Sequence, residues 1–170
     1  MERSKYRVII FILLIMYSSE LIASYRSDIY HAYVNNKMDR WKEVIDHMNT
    51  VPDKSNEFIL ELVNYQYGYI GYCIGYDKKN EAKKYLDLAQ KNIDILEKQK
   101  FRLSIVNAYN SAFCGFRMGL SILAVPYNGF RSMEYARTAV DLDSENYLGV
   151  VQYGNIQFYM PKSFGGSKKE

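Results

Sequence analysis

Residues 81–99 read EAKKYLDLAQKNIDILEKQ, and their apolar side chains recur three or four positions apart. This spacing places the apolar side chains on one face of a helix, while lysines and acids cover the opposite face. Such a helix gains most of its stability by packing that apolar face against a partner. The stretch therefore predicts an amphipathic helix inside a packed fold. Its inward residues are expected to be Ala82, Tyr85, Leu86, Ala89, Ile93 and Leu96.

The same spacing recurs along most of the chain, and no segment shows the period-two alternation of a half-buried strand. The fold class is therefore expected to be all-α. A first helix is expected after Ser27, which can cap it, with Ile29, Tyr30, Tyr33 and Val34 turned inward. Further helices are predicted over residues 38–49, 56–76, 81–99, 101–124, 131–141 and 147–159.

Turn signals divide these helices into hairpins. Pro52 ends one helix, and Pro126 together with the Asn-Gly pair at 128–129 predicts that residues 125–129 form a turn. Gly68, Gly71 and Gly75 lower helix propensity inside the predicted helix 56–76. They are expected at points where a neighbouring helix approaches closely.

The N-terminal residues 1–24 have the layout of a secretory signal peptide. A basic head (1–7) precedes the apolar run 8–16, and Ala23 and Ser24 offer small residues near a cleavage site. The run is about half of the roughly 20 apolar residues that span a bilayer. The expectation is a periplasmic or secreted domain over residues 25–170 without stable membrane insertion. An uncleaved N-terminal anchor is the alternative.

Composition limits the classes of function. A chain of 170 residues with 48% hydrophobic residues can bury one sizeable core. Its formal charge of +3 is too small to indicate a nucleic-acid partner. In an oxidising compartment Cys73 and Cys114 could form a disulfide. Because both lie in apolar helical runs, buried thiols are the favoured interpretation.

The second helix of each predicted hairpin carries a triplet of residues at spacings of four and three. The triplets are Trp41, Ile45 and Met48, then Ala82, Leu86 and Ala89, then Ser132, Ala136 and Ala139. The last two resemble the small, large, small triplet of the tetratricopeptide repeat. The triplets begin at 41, 82 and 132, so they are farther apart than the usual period of roughly 34 residues. This larger spacing indicates that the first helix of each hairpin is lengthened.

Two further segments carry the resemblance. Residues 140–146, VDLDSEN, look like the Leu-Glu-Leu-Asp-Pro-Glu-Asn end of such repeats, and residues 158–166, FYMPKSFGG, are similar to a connector in exported bacterial proteins of this type. The resemblance covers residues 27–170. It implies a tetratricopeptide-like α-α solenoid, in which antiparallel hairpins stack as a right-handed superhelix that binds a protein or peptide partner.

The sequence lacks the residue clusters that catalysis or metal binding needs. Its histidines, His31 and His47, lie on different predicted helices and are expected at the surface. No phosphate-binding loop motif occurs. The expected function is therefore a binding scaffold without catalytic activity, metal or cofactor. The alternative is an accessory ligand-binding subunit of a periplasmic transport system, with a polar pocket between the long helices for a small organic acid.

Four tyrosines form a stripe on the predicted helix 56–76. Tyr65, Tyr69, Tyr72 and Tyr76 are either the aromatic wall of a groove or packing residues between hairpins, and packing is favoured. Tyr67 would be the better groove residue if first helices line the concave side. Residues 167–170 fit a Ser-x-x-Glu capping box, which predicts that the natural chain continues into another helix. A frayed tail is the alternative.

Overall fold

The computed structural model describes residues 25–159, which form helices joined by short connections without any strand. The all-α prediction is therefore confirmed for this part of the chain. The predicted signal peptide and the 167–170 capping box lie outside the described residues. The helices are α1 (25–34), α2 (Met38–Thr50), α3 (Asn56–Gly75), α4 (Lys79–Lys98), α5 (Leu103–Leu120), a 3-10 turn (Ile122–Ala124), α6 (Val125–Leu142) and α7 (Tyr147–Tyr159).

The chain divides into two compact units at Lys54, and α1 and α2 belong to the first. The predicted inward face of α1 is wrong for Tyr30, Tyr33 and Val34, which are exposed, whereas Ile29 is buried as predicted. The buried residues are Tyr25, Ile29 and Ala32, which follow the spacing of four and three along a different face. The chain is already helical at residue 25, so Ser27 lies inside α1 instead of capping it.

The second unit is built from hairpins. Helix α3 contacts α4 and α5, and α5 contacts α4, α6 and α7, while α6 also contacts α7. Helices α5 and α6 run antiparallel, because Ser111 bonds Ser132 whereas Ser104, seven residues earlier, bonds Ala139, seven residues later. The α3 and α4 pair is joined by the three-residue connection 76–78. Each long helix thus shelters its apolar side against its neighbours in sequence.

All nine triplet residues that the sequence aligned are buried. In α4 these are Ala82, Leu86 and Ala89, each exposed by at most 2%. In α6, Ser132, Ala136 and Ala139 are exposed by at most 3%. In α2, Trp41, Ile45 and Met48 are buried within the first unit. The spacing of four and three therefore marks the inward stripe of three separate helices.

The predicted turn at 125–129 is wrong, since α6 begins at Val125 and includes these residues. Pro126 lies in the first turn of α6, where backbone N–H groups have no partner within the helix and a missing donor costs nothing. The Asn128 side chain donates to the Ala124 carbonyl at 2.9 Å. A proline that looks like a breaker in sequence is here a helix start.

Two of the α3 glycines, Gly71 and Gly75, do not mark close helix contacts. A Cβ at Gly75 would meet nothing within 4 Å, and one at Gly71 would lie 3.9 Å from the Phe116 ring, an ordinary contact. Close approach occurs instead at Gly149 of α7, where a Cβ would lie 3.1 Å from the Ala139 Cβ. In residues 25–159 no helix has both the length and the apolar composition to cross a bilayer.

Candidate functional site

The second unit contains a polar pocket of about 550 Å³ between α4, α5 and α6. A volume of this size falls within the range of small-molecule sites. Polar and charged side chains dominate its lining. The lining residues are Gln90, Asp94 and Glu97 from α4, Asn110, Cys114 and Arg117 from α5, and Tyr127, Asn128, Arg131 and Tyr135 from α6.

Gln90 organises the α4 and α5 walls of the pocket. Its amide nitrogen donates to Asp94 at 2.9 Å and to Asn110 at 3.0 Å. Its amide oxygen accepts from the Arg117 guanidinium at 2.9 Å. Because all three bonds converge on one amide, the side chain has a single orientation. A neutral amide therefore lies between the cationic Arg117 and the anionic Asp94.

Arg131 of α6 is held by two tyrosines. Its guanidinium donates to the hydroxyl of Tyr127 at 2.7 Å and to that of Tyr135 at 2.9 Å. The same group lies 4.9 Å from the Tyr127 ring centre and 5.6 Å from that of Tyr135, within cation-π range. The hydrogen bond to Tyr135 is the main cause that raises the pKa of Arg131. These contacts orient the guanidinium through neutral groups, so its charge is not cancelled.

Arg117 and Arg131 form no ion pair with any carboxylate in the described part of the chain. On the α4 side, Asp94 and Glu97 are three residues apart and therefore neighbours on one helix face. Both of these acids are exposed residues of the pocket lining, and neither pairs with a lysine or arginine among residues 25–159. The pocket thus has a cationic side and an acidic side that are not neutralised by each other.

Cys114 lines the pocket and is 3% exposed. Burial raises the pKa of this thiol, while the nearby charges of Arg117 and Arg131 act in the opposite direction. A nucleophilic cysteine needs a lowered pKa and access. Cys114 has neither, and no group of three or more potential metal ligands occurs among the described residues.

The predicted tyrosine stripe does not form one surface. Tyr65 and Tyr69 are buried, and the Tyr69 ring packs edge-on against Tyr85 of α4 at 5.0 Å. Tyr72 is half-buried, and Tyr76 is 67% exposed and packs against it at 4.6 Å. The stripe therefore runs from core packing to the protein surface along the length of α3.

Tyr67 lies beside the stripe and is half-buried. Its ring contacts Tyr109 at 5.8 Å and stacks on Phe116 at 5.2 Å, both in α5. Tyr67 therefore packs in the interface between α3, to which it belongs, and α5. Its contacts are those of an interface residue, and only part of the ring is open to solvent.

The two cysteines are buried, and the two histidines are exposed. Cys73 and Cys114 are buried in α3 and α5, and the structure has no disulfide between them. His31 and His47 are exposed, and the His47 Nδ1 atom lies 2.9 Å from the Tyr25 hydroxyl in the first unit. Neither histidine lines the pocket.

Sequence reasoning did not identify any pocket residue as a ligand-binding group, and it named Cys114 only as a buried thiol or a disulfide partner of Cys73. One signal was available, because Arg117 is the sole lysine, arginine or acid in the sequence of α5, residues 103–120. A lone charge in an apolar helix needs a polar surrounding. The partner groups lie on other helices and could not be assigned from spacing within one helix.

Comparison with protein-family models, with curated proteins and with solved structures finds no match for this chain.

Proposed function

We propose that this chain is an exported helical-repeat protein that binds a protein partner and has no catalytic activity. The observation that carries the proposal is the position of α5, which contacts α3 and α7 as well as its hairpin neighbours α4 and α6. Helices α3, α5 and α7, each the first helix of a hairpin in this arrangement, therefore lie side by side. Tetratricopeptide-like solenoids have this layout, and its extended surfaces serve partner binding.

The equivalent burial of the triplets supports the same proposal. Residues at matching positions of α4 and α6 are buried in matching ways, as expected for repeated units that each cover the next. Helix α7 adds large exposed side chains, which a partner or a further hairpin could cover. They are Tyr147 (80% exposed), Val150 (46%), Phe158 (52%) and Tyr159 (80%).

Photo-crosslinking in the native host tests this function. A photoreactive amino acid at Tyr147 should give one discrete adduct, identified by mass spectrometry, while the same residue at Lys83 on the exposed face of α4 should not. Equal or diffuse labelling from both positions contradicts a scaffold role. Fractionation of the same cells tests export, and recovery of the full chain in the cytosol contradicts that part.

A second candidate function is ligand binding as an accessory subunit of a periplasmic transport system. The polar pocket between α4, α5 and α6 favours it, because two oriented guanidinium groups there can receive an anionic group. Only a small ligand fits a pocket of about 550 Å³.

A thermal-shift screen of the full chain against small organic acids and amino acids tests the second candidate. At least one compound should raise the unfolding temperature by mass action. The response should be lost in Arg131→Gln and kept in Arg137→Gln, a matched variant on the exposed side of α6. If no compound raises the unfolding temperature, this candidate is rejected while the scaffold proposal is unaffected.

A further inference from the structure

The pocket between α4, α5 and α6 separates its charges by helix. The two guanidinium groups come from α5 and α6, and the two carboxylates, Asp94 and Glu97, come from α4. Oppositely charged side chains that share a pocket usually gain by pairing directly. Here Gln90 intervenes, because it accepts from Arg117 and donates to Asp94. The charges are thereby held apart and remain available to a ligand.

Neither side of the pocket is neutralised by its own contacts. Arg131 is bonded to two tyrosine hydroxyls, and Arg117 to an amide oxygen, all of which are uncharged. Planar guanidinium groups with open N–H donors are the preferred partners of a carboxylate. Asp94 and Glu97 carry the opposite charge and act as acceptors for N–H donors.

We propose that this pocket binds a small zwitterion, in which one carboxylate and one ammonium group belong to the same molecule, as in a free amino acid. The carboxylate faces Arg117 and Arg131, and the ammonium group faces Asp94 and Glu97. The inference rests on the second candidate function and names the chemical class of its ligand.

The same charges discriminate against other small ligands. A dicarboxylate would bring its second negative charge toward Asp94 and Glu97, and a diamine would bring a positive charge toward the arginines. Like charges brought close together in the pocket repel each other and cost binding free energy, which favours the ligand with the complementary charge pattern. The separation of positive and negative side chains in the lining therefore favours a ligand that carries both charges in one molecule.

The experiment is isothermal titration calorimetry of the full chain with a panel of amino acids. For the tightest binder, two analogues are then titrated, one lacking the amino group and one lacking the carboxyl group. Each analogue is expected to bind at least about tenfold more weakly, which corresponds to about 1.4 kcal/mol. Because the analogues are compared on the unaltered protein, the result does not depend on the folding of a variant.

Matched variants assign the two charges. Arg131→Gln should weaken binding of the amino acid but leave the affinity for the decarboxylated amine unchanged. Asp94→Asn should also weaken binding of the amino acid, but it should leave the affinity for the deaminated acid unchanged. Arg137→Gln and Asp87→Asn, exposed on α6 and α4 outside the pocket, should have no effect.

The outcomes separate the inference from the function on which it rests. If the acid without an amino group binds as tightly as the amino acid, the zwitterion inference is overturned and ligand binding is retained. If no member of the panel binds and the organic acids also give no thermal shift, both are overturned. Unchanged binding in Asp94→Asn likewise contradicts a role for the acidic side.

Discussion

Ser111 of α5 and Ser132 of α6 exchange hydrogen bonds across the helix interface. The Ser111 hydroxyl donates to the Ser132 carbonyl at 2.8 Å, and the Ser132 hydroxyl donates to the Ser111 carbonyl at 2.9 Å. Both residues are exposed by at most 3%. Small side chains allow the two backbones to approach, and the paired bonds satisfy hydroxyls that would be costly to bury alone. This pair holds α6, and with it Arg131, against α5.

Replacing Ser111 by alanine removes one of these bonds, so Ser111→Ala should lower the free energy of unfolding by about 1 kcal/mol. Ser111→Leu should cost more, about 1–3 kcal/mol, because the site has no room for a larger side chain. Urea unfolding followed by circular dichroism measures both. Ser144→Ala, in the exposed connection before α7, is the control and should change stability little. Equal effects of Ser111→Ala and Ser144→Ala would contradict the importance of the pair.

The two α7 glycines should respond to alanine with opposite signs. At Gly149 an added methyl would lie 3.1 Å from the Ala139 Cβ, which is attached to the α6 backbone and cannot rotate away. Gly149→Ala should therefore destabilise the protein by about 1 kcal/mol or more. At Gly154 a methyl would meet nothing within 4 Å, so Gly154→Ala should stabilise by up to about 1 kcal/mol. Thermal unfolding of the two variants gives the comparison, and the same sign for both would refute it.

Alkaline pH should destabilise the protein through its buried tyrosines. Burial raises the pKa of Tyr109 and of Tyr69 above the ordinary value of about 10. The folded state therefore retains these protons after the unfolded state has begun to lose them. The contribution of these tyrosines to the free energy of unfolding is fully present below about pH 10, and it is lost as the pH rises toward their pKa in the folded state. Between these two pKa values the free energy of unfolding falls by about 1.4 kcal/mol per pH unit for each proton.

Tyr109→Phe isolates one of these protons. The variant should lose about 1 kcal/mol at neutral pH, because Tyr109 donates to the Asn64 side chain at 3.0 Å. Above pH 10 its stability should fall less steeply than that of the unaltered protein. Urea titrations at several alkaline pH values measure the slope, with the exposed Tyr147→Phe as control. An unchanged slope in Tyr109→Phe rules out this linkage.

The Cys114 thiol should report on the pocket arginines. In a Cys73→Ala background, alkylation of folded protein at pH 8 should be at least about tenfold slower than that of unfolded protein, because the thiol is buried and burial raises its pKa. Arg131→Gln should slow the reaction further, since the Arg131 charge favours the thiolate. Arg137→Gln should leave the rate unchanged. Faster alkylation in Arg131→Gln, with stability unaltered, contradicts this electrostatic coupling.

Helix boundaries were predictable where local chemistry is decisive. The predicted start of α7 at residue 147 matches Tyr147, and the predicted start of α3 at residue 56 matches Asn56, whose preceding Ser55 caps the helix by accepting from the Phe58 N–H at 3.2 Å. Pro126 was misassigned because a proline is compatible both with a turn and with the first turn of a helix. Only the packing of the following residues against α5 distinguishes the two.

The sequence by itself determined the all-helical class and the inward stripes of α2, α4 and α6, because a 3.6-residue period is a property of neighbouring residues along one helix. The tertiary structure alone decided the pocket. Gln90, Arg117 and Arg131 stand on three helices, and the bond between Gln90 and Arg117 joins residues 27 positions apart. No spacing rule within a helix specifies such a pair. Their meeting depends on how three apolar stripes pack, which is a property of the whole second unit.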